Sequence, residues 1–198
     1  MPVLILAYPL LVHLAIILQQ PLLQWLALCC LVAIPLLESL RRRQPRAWML
    51  FVTLALGLYV LTQLGGGRNV LYLPPILLPL VAAWFFGRSL RSGETPLITR
   101  IARVTRDGEL PTELLSYTRG VTWLWTLLLC GMALLSLALA LLAAPEVWSL
   151  FTNFLNYLIL AAVFPLEYLW RRLRFRHLGH PGFVGYIRKI ATANYRKL

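Results

Sequence analysis

Six apolar runs, separated by short polar breaks and one long one, govern what this chain can become. They cover Val3 to Leu18, Leu22 to Leu40, Ala47 to Leu64, Val70 to Phe86, Val121 to Ala143 and Val147 to Trp170. A helix needs about 20 apolar residues to cross a hydrocarbon layer roughly 30 Å thick, and most of these runs approach that length. The composition agrees: 60% of the 198 residues are hydrophobic, only 13% are charged, and the mean hydropathy is +0.73. A soluble domain of this size needs far more polar surface to cover its core. The expectation is an all-α, polytopic membrane protein of about six transmembrane helices. Residues 1–170 form its membrane domain and residues 171–198 a basic amphipathic tail. The first run is short and carries Pro9 and His13, so it is the least suited to a full crossing. Pro74, Pro75 and Pro79 predict a kink or a non-helical start in the fourth.

Arginine sets the orientation. Of 19 basic residues only Lys189 and Lys197 are lysine. The segments after the second, fourth and sixth runs hold four, six and eight basic residues, whereas those after the first, third and fifth hold none, one and none. The positive-inside rule therefore puts both termini in the cytoplasm. The first run has neither a charged leader nor a small-residue cleavage site, so no cleavable signal is expected, and Leu26-Ala27-Leu28-Cys29 does not make a lipoprotein signal. The even-numbered runs end alike, at Pro35-Leu36-Leu37-Glu38, Pro79-Leu80 and Pro165-Leu166-Glu167 before arginines. This reads either as a degenerate helical-hairpin repeat or as common punctuation at helix ends.

The longest polar interruption, Gly87 to Gly120, is the expected working surface. It carries Arg88, Arg91, Arg100, Arg103, Arg106 and Arg119 against Glu94, Asp107, Glu109 and Glu113. Between Thr95 and Arg106, Leu97, Ile98, Ile101 and Val104 share one helical arc while Arg100, Arg103 and Arg106 share another. That periodicity predicts an amphipathic helix in the interface, ended at Gly108, with a second short helix from Thr112 to Arg119 feeding the fifth run. The tail repeats the pattern: Arg171, Arg172, Arg174 and Arg176 interleave with apolar residues, and Phe183, Ile187 and Ile190 follow beyond His180-Pro181-Gly182. All six loop arginines, with Arg171 and Arg172, are candidates for binding anionic lipid headgroups or an acidic partner. Nucleic-acid binding is not expected, because a neighbouring membrane explains the same mixture of basic and aromatic residues.

Candidate chemistry inside the apolar runs is sparse. His13, Glu38, Asn153, Asn156 and Glu167 are the polar residues of interest, since such groups are costly in a membrane. His13 could relay a proton or hydrogen-bond a neighbouring helix, and the two asparagines could meet a headgroup or tie helices together. Glu38 and Glu167 could form a two-carboxylate centre or pair with Arg41, Arg42 and Arg171. Cys29, Cys30 and Cys130 sit in apolar runs without zinc-ligand spacing, so no metal or other cofactor is expected. Gly65-Gly66-Gly67-Arg68 lacks the lysine-serine ending of a phosphate loop and reads as a turn. No nucleophile-elbow, metalloprotease, acyltransferase or phosphotransferase signature occurs.

The segment Phe86-Gly87-Arg88-Ser89-Leu90, Gly93, Pro96-Leu97-Ile98, Arg100 and Ala102, followed by Tyr117-Thr118-Arg119 and Val121-Thr122-Trp123, resembles an uncharacterised family of bacterial inner-membrane proteins. Members of that family are encoded among ketosynthase, acyl-carrier and acyltransferase genes of the aryl-polyene lipid type. The resemblance covers the central third of the chain and carries no catalytic residues with it. It implies a place in acyl or polyene lipid assembly at the bacterial inner membrane. The leading expectation is a non-catalytic accessory protein that binds acyl-lipid intermediates or docks acyl-carrier and ketosynthase-type enzymes at the cytoplasmic face. Two rivals stand beside it: a small lipid or polyene carrier or transporter, and a membrane-embedded acyl or glycosyl transferase using Glu38 or Glu167.

Overall fold

The computed structural model describes residues 2–105 and 110–177, and among these it contains nine α-helices, one π-helical turn and no strand. The α-helices are α1 Pro2–Leu18, α2 Pro21–Arg41, α3 Pro45–Gln63, α4 Gly67–Tyr72, α5 Pro74–Arg88, α6 Leu97–Thr105, α7 Thr112–Leu142, α8 Pro145–Leu150 and α9 Asn156–Arg174, with the π-turn at Phe151–Leu155. Arg106, Gly108 and the tail positions Phe183, Ile187 and Ile190 lie outside the described residues.

Proline places several of these starts. Pro21, Pro45, Pro74 and Pro145 open their helices, where the missing N–H would have had no intrahelical partner. Two helices end in Schellman turns. Beyond α3, Gly66 N–H donates to the Leu61 carbonyl and Gly65 N–H to that of Thr62, with Gly65 at φ +80°. Beyond α2 the same pair of bonds forms around Arg43 at φ +52°, a conformation a non-glycine residue adopts only at a cost. Gly67, which opens α4, has no room for a side chain: an added Cβ would lie 2.5 Å from Gln24 Oε1 and 2.6 Å from Thr62 Cγ2.

Five segments are long and apolar enough to cross a membrane: Pro21–Arg41, Pro45–Gln63, Gly67–Arg88, Thr112–Leu142 and Pro145–Arg174. The expected six thus become five of spanning length and a shorter apolar helix, α1, of 17 residues. The fourth is broken as expected: α4 ends at Tyr72, and α5 restarts at Pro74 because two adjacent prolines supply no N–H to continue the ladder. One expectation is corrected. Thr112 to Arg119 is no separate helix but the first turns of α7, which runs unbroken for 31 residues, about 46 Å at 1.5 Å per residue. No proline lies inside it, so nothing separates the polar turns from the apolar ones.

Apolar side chains point outward along these helices, among them Met49, Leu64, Leu78, Leu141 and Leu142. Exposure of that kind is compatible with membrane insertion, where the surrounding solvent is hydrocarbon.

The chain forms two compact units. The first comprises Met1–Leu77 with Leu134–Leu158, and the second Leu78–Ala133 with Ile159–Leu198. In the first, Tyr8, Val12 and Ile16 of α1, one helical turn apart, pack with Ala27 and Leu28 of α2, Leu71 of α4 and Trp148 of α8. In the second, Ala83 of α5 packs with Leu129 and Met132 of α7.

Candidate functional site

The second unit is organised by a ladder of buried threonines on α7. The hydroxyls of Thr118, Thr122 and Thr126 each donate to the carbonyl four residues back, at 2.8 Å. Their oxygens thereby become acceptors on one face of the helix, and α6 docks against that face. Thr99 Oγ1 lies 2.7 Å from Thr118 Oγ1, and since the Thr118 proton is committed to the Leu114 carbonyl, Thr99 is the donor. Ile98 N–H reaches Thr122 Oγ1 at 3.4 Å. Ser89 completes the dock: its hydroxyl donates to the Phe86 carbonyl and accepts from the N–H of Leu97, the first residue of α6, so it caps that helix from eight positions upstream. The amphipathic helix is real, but it rests on protein. Thr99 is buried, and Leu97, Ile98, Ile101 and Val104 are all partly buried.

Two apolar cavities flank α7. The larger, about 410 Å³, lies between Gly120, Val121 and Leu124 of α7 and Val163, Leu166 and Trp170 of α9, with Tyr117 and Glu167 at its edge. These positions fall at i, i+3, i+4 and i+7 on each helix, the spacing of a single face. The smaller, about 310 Å³, is roofed by Ile98 and Ile101 of α6 and walled by Phe86, Trp125, Leu129 and Phe164. Val121 and Glu167 border both. Among the described lining residues Glu167 alone is charged. Its Oε1 accepts from the Tyr117 hydroxyl at 3.2 Å and faces Arg171 Nε at 3.6 Å. Numbers rise along α7 as they fall along α9 past these cavities. Glu167 and Tyr117 therefore stand nearer the arginine-bearing end, while Leu124, Leu129 and Val163 stand deeper among apolar residues.

The arginines of this unit sort by occupation. Arg100 is fastened within its own loop, donating from Nε to the Thr95 carbonyl at 2.8 Å and from Nη2 to Glu94 at 3.1 Å. Arg119 donates to the Leu90 carbonyl, joining α7 to the end of α5. Arg88 lies over the Trp84 ring at 5.4 Å. Arg91, Arg103 and Arg172 are exposed and form no salt bridge among the described residues. Glu113 pairs with His177.

The first unit gathers a separate polar cluster. His13 Nδ1 meets Ser149 Oγ at 3.0 Å, and Asn153 Nδ2 donates to that same oxygen at 3.1 Å and to the Ser149 carbonyl at 3.0 Å. The Ser149 hydroxyl thus links His13 of α1 to Asn153. Thr152 Oγ1 donates to the Trp148 carbonyl. Two successive carbonyls thus each accept a side-chain bond just ahead of the π-turn at Phe151–Leu155. Asn156 Nδ2 reaches Ser136 Oγ of α7 at 3.4 Å. Glu38 also belongs to this unit and pairs with Arg42 at 2.8 Å on an exposed face. Among the described residues no group of three or more His, Cys, Asp or Glu side chains gathers in a way that could hold a metal ion.

The sequence therefore located Glu167, Arg171, His13 and the asparagines, and offered the Glu38–Arg42 and Glu167–Arg171 pairs, but not the Tyr117, Ser149 and Ser136 partners. Tyr117, Thr118, Thr122, Ser89, Gly120 and Ser149 went unremarked as site residues, although three threonines at i, i+4 and i+8 are a visible stripe. This chain matches no protein-family model, no curated protein and no solved structure. What fold and site define is an all-helical protein with five apolar helices of membrane-spanning length, whose second unit holds a groove bordered by a carboxylate that pairs with Arg171.

Proposed function

We propose that this chain is an integral membrane accessory protein that holds an acyl lipid in the groove between α7 and α9. Its arginine-rich end faces the cytoplasm and receives the soluble enzymes that make or use that lipid. The observation that carries the reading is the groove itself. It is apolar along its length, polar at one end, and placed in the unit that carries the exposed Arg91, Arg103 and Arg172. An acyl chain seated there exchanges contacts with other lipid tails for close packing against α7 and α9, so the fit of the groove sets its hold. Acyl carrier proteins are acidic, so Arg91, Arg103 and Arg172 complement them and raise the rate of encounter. The bacterial inner membrane and the acyl or polyene pathway implied by the resemblance belong to this proposal.

The test has two arms. Pull-down of acyl carrier protein should weaken as salt rises and should be lost in the Arg91→Gln/Arg103→Gln/Arg172→Gln variant. Arg100→Gln should chiefly loosen its own loop, because that guanidinium is already held. Lipid co-purifying with the protein should fall when the groove is filled by mutation. Salt-insensitive capture together with unchanged lipid content would sink the reading.

A further inference from the structure

Glu167 is an awkward residue for a groove that only shelters hydrocarbon. Its side chain is 11% exposed, and it borders both cavities. Burying a carboxylate is costly unless its charge and lone pairs are met. The charge is met by Arg171, 3.6 Å away, and Tyr117 adds a hydrogen bond, but both approach Oε1. Oε2 has no hydrogen-bond partner among the described residues, although a carboxylate oxygen accepts up to two hydrogen bonds.

Three constraints on an occupant follow. Its polar group must donate a hydrogen bond, because Oε2 only accepts. It should be uncharged, since the carboxylate repels an anion and Arg171 already balances the carboxylate. Its polar group must also sit beside Glu167, which borders both apolar cavities, as the junction of a two-chain lipid can. We infer that the groove binds a neutral two-chain glycerolipid through a free hydroxyl, that is, a diacylglycerol, with the hydroxyl donating to Glu167 Oε2 and one chain in each cavity. This inference rests on the acyl-lipid reading above and narrows it to one headgroup class.

The experiment is native mass spectrometry of the full chain, released from detergent after incubation with chain-matched lipids. These are a 1,2-diacylglycerol, its 3-acetyl ester, which lacks the hydroxyl donor, and the corresponding phosphatidate. Wild-type protein should retain diacylglycerol at least about tenfold better than either, the discrimination that one charge-assisted hydrogen bond supplies. Tyr117→Phe should keep that preference, because the bond it makes to Glu167 is to Oε1 and not to Oε2. Glu167→Gln should erase most of it while still retaining lipid, with thermal unfolding of both variants confirming that the fold is kept. Preference for phosphatidate, or equal retention of the hydroxyl and acetyl forms, overturns this inference and leaves the acyl groove standing. Failure of wild-type protein to retain any of the three overturns the groove reading itself.

Discussion

Gly120 offers the sharpest test of the groove, because the same substitution should help the fold and harm the binding. The residue lies in the third turn of α7 and lines the larger cavity, and a Cβ added there meets nothing within 4 Å. Glycine inside a helix costs on the order of 1 kcal/mol relative to alanine, so Gly120→Ala should raise the unfolding temperature slightly and leave lipid binding almost unchanged. Gly120→Leu enjoys most of the same backbone gain, but its side chain enters the cavity and displaces about three methylenes of whatever chain lies there. Overpacking an occupied site of this kind costs about 1–3 kcal/mol, or roughly 5- to 150-fold in affinity. The assay is titration of a fluorescent acyl lipid into detergent-solubilised protein, beside a thermal melt of each variant. Wild-type affinity in a well-folded Gly120→Leu protein would refute the groove as the binding seat. A marked fall in the melting temperature of Gly120→Ala would refute the premise that the position is open.

Other positions give independent checks. Thr118→Val removes the acceptor of the buried Thr99 hydroxyl, costing about 1–3 kcal/mol, and should speed hydrogen exchange and proteolysis in α6 while α2 and α3 stay protected. Gly67→Ala forces a methyl group against Gln24 and Thr62 and should lower stability by about 1–3 kcal/mol, read from the melting temperature; a neutral result would show that α4 can shift. Ser149→Ala leaves His13 Nδ1 and one Asn153 bond without their partner and should cost about 1–2 kcal/mol. Pairing it with His13→Leu in a double-mutant cycle should give a coupling of at least about 0.5 kcal/mol, and strict additivity would deny the contact.

Much of the second unit's outline was legible because its signals are local. The amphipathic arc of Leu97, Ile98, Ile101 and Val104 announced α6, since a helix repeating every 3.6 residues separates those side chains from Arg100 and Arg103. Its resting place was not legible. The periodicity is the same whether a helix lies on lipid or on a neighbouring helix, and only Thr99 and Ser89 with their partners across the loop decide the matter. Glu167 stood out as an acid in an apolar run, yet pairing with Tyr117, fifty positions away in sequence, could not be read from spacing.

The sequence by itself determined that the chain is helical, where proline opens and breaks its helices, and which segments are apolar enough for a membrane. Those properties depend on residues within a turn or two of one another. The tertiary structure alone decided which faces meet. Helices apolar on every side carry no moment to mark a packing face, so contact there is set by shape and by scattered hydroxyl and amide groups. The threonine ladder, the opening at Gly120, the sorting of fastened from exposed arginines and the two cavities sharing Glu167 all arise from that meeting of faces.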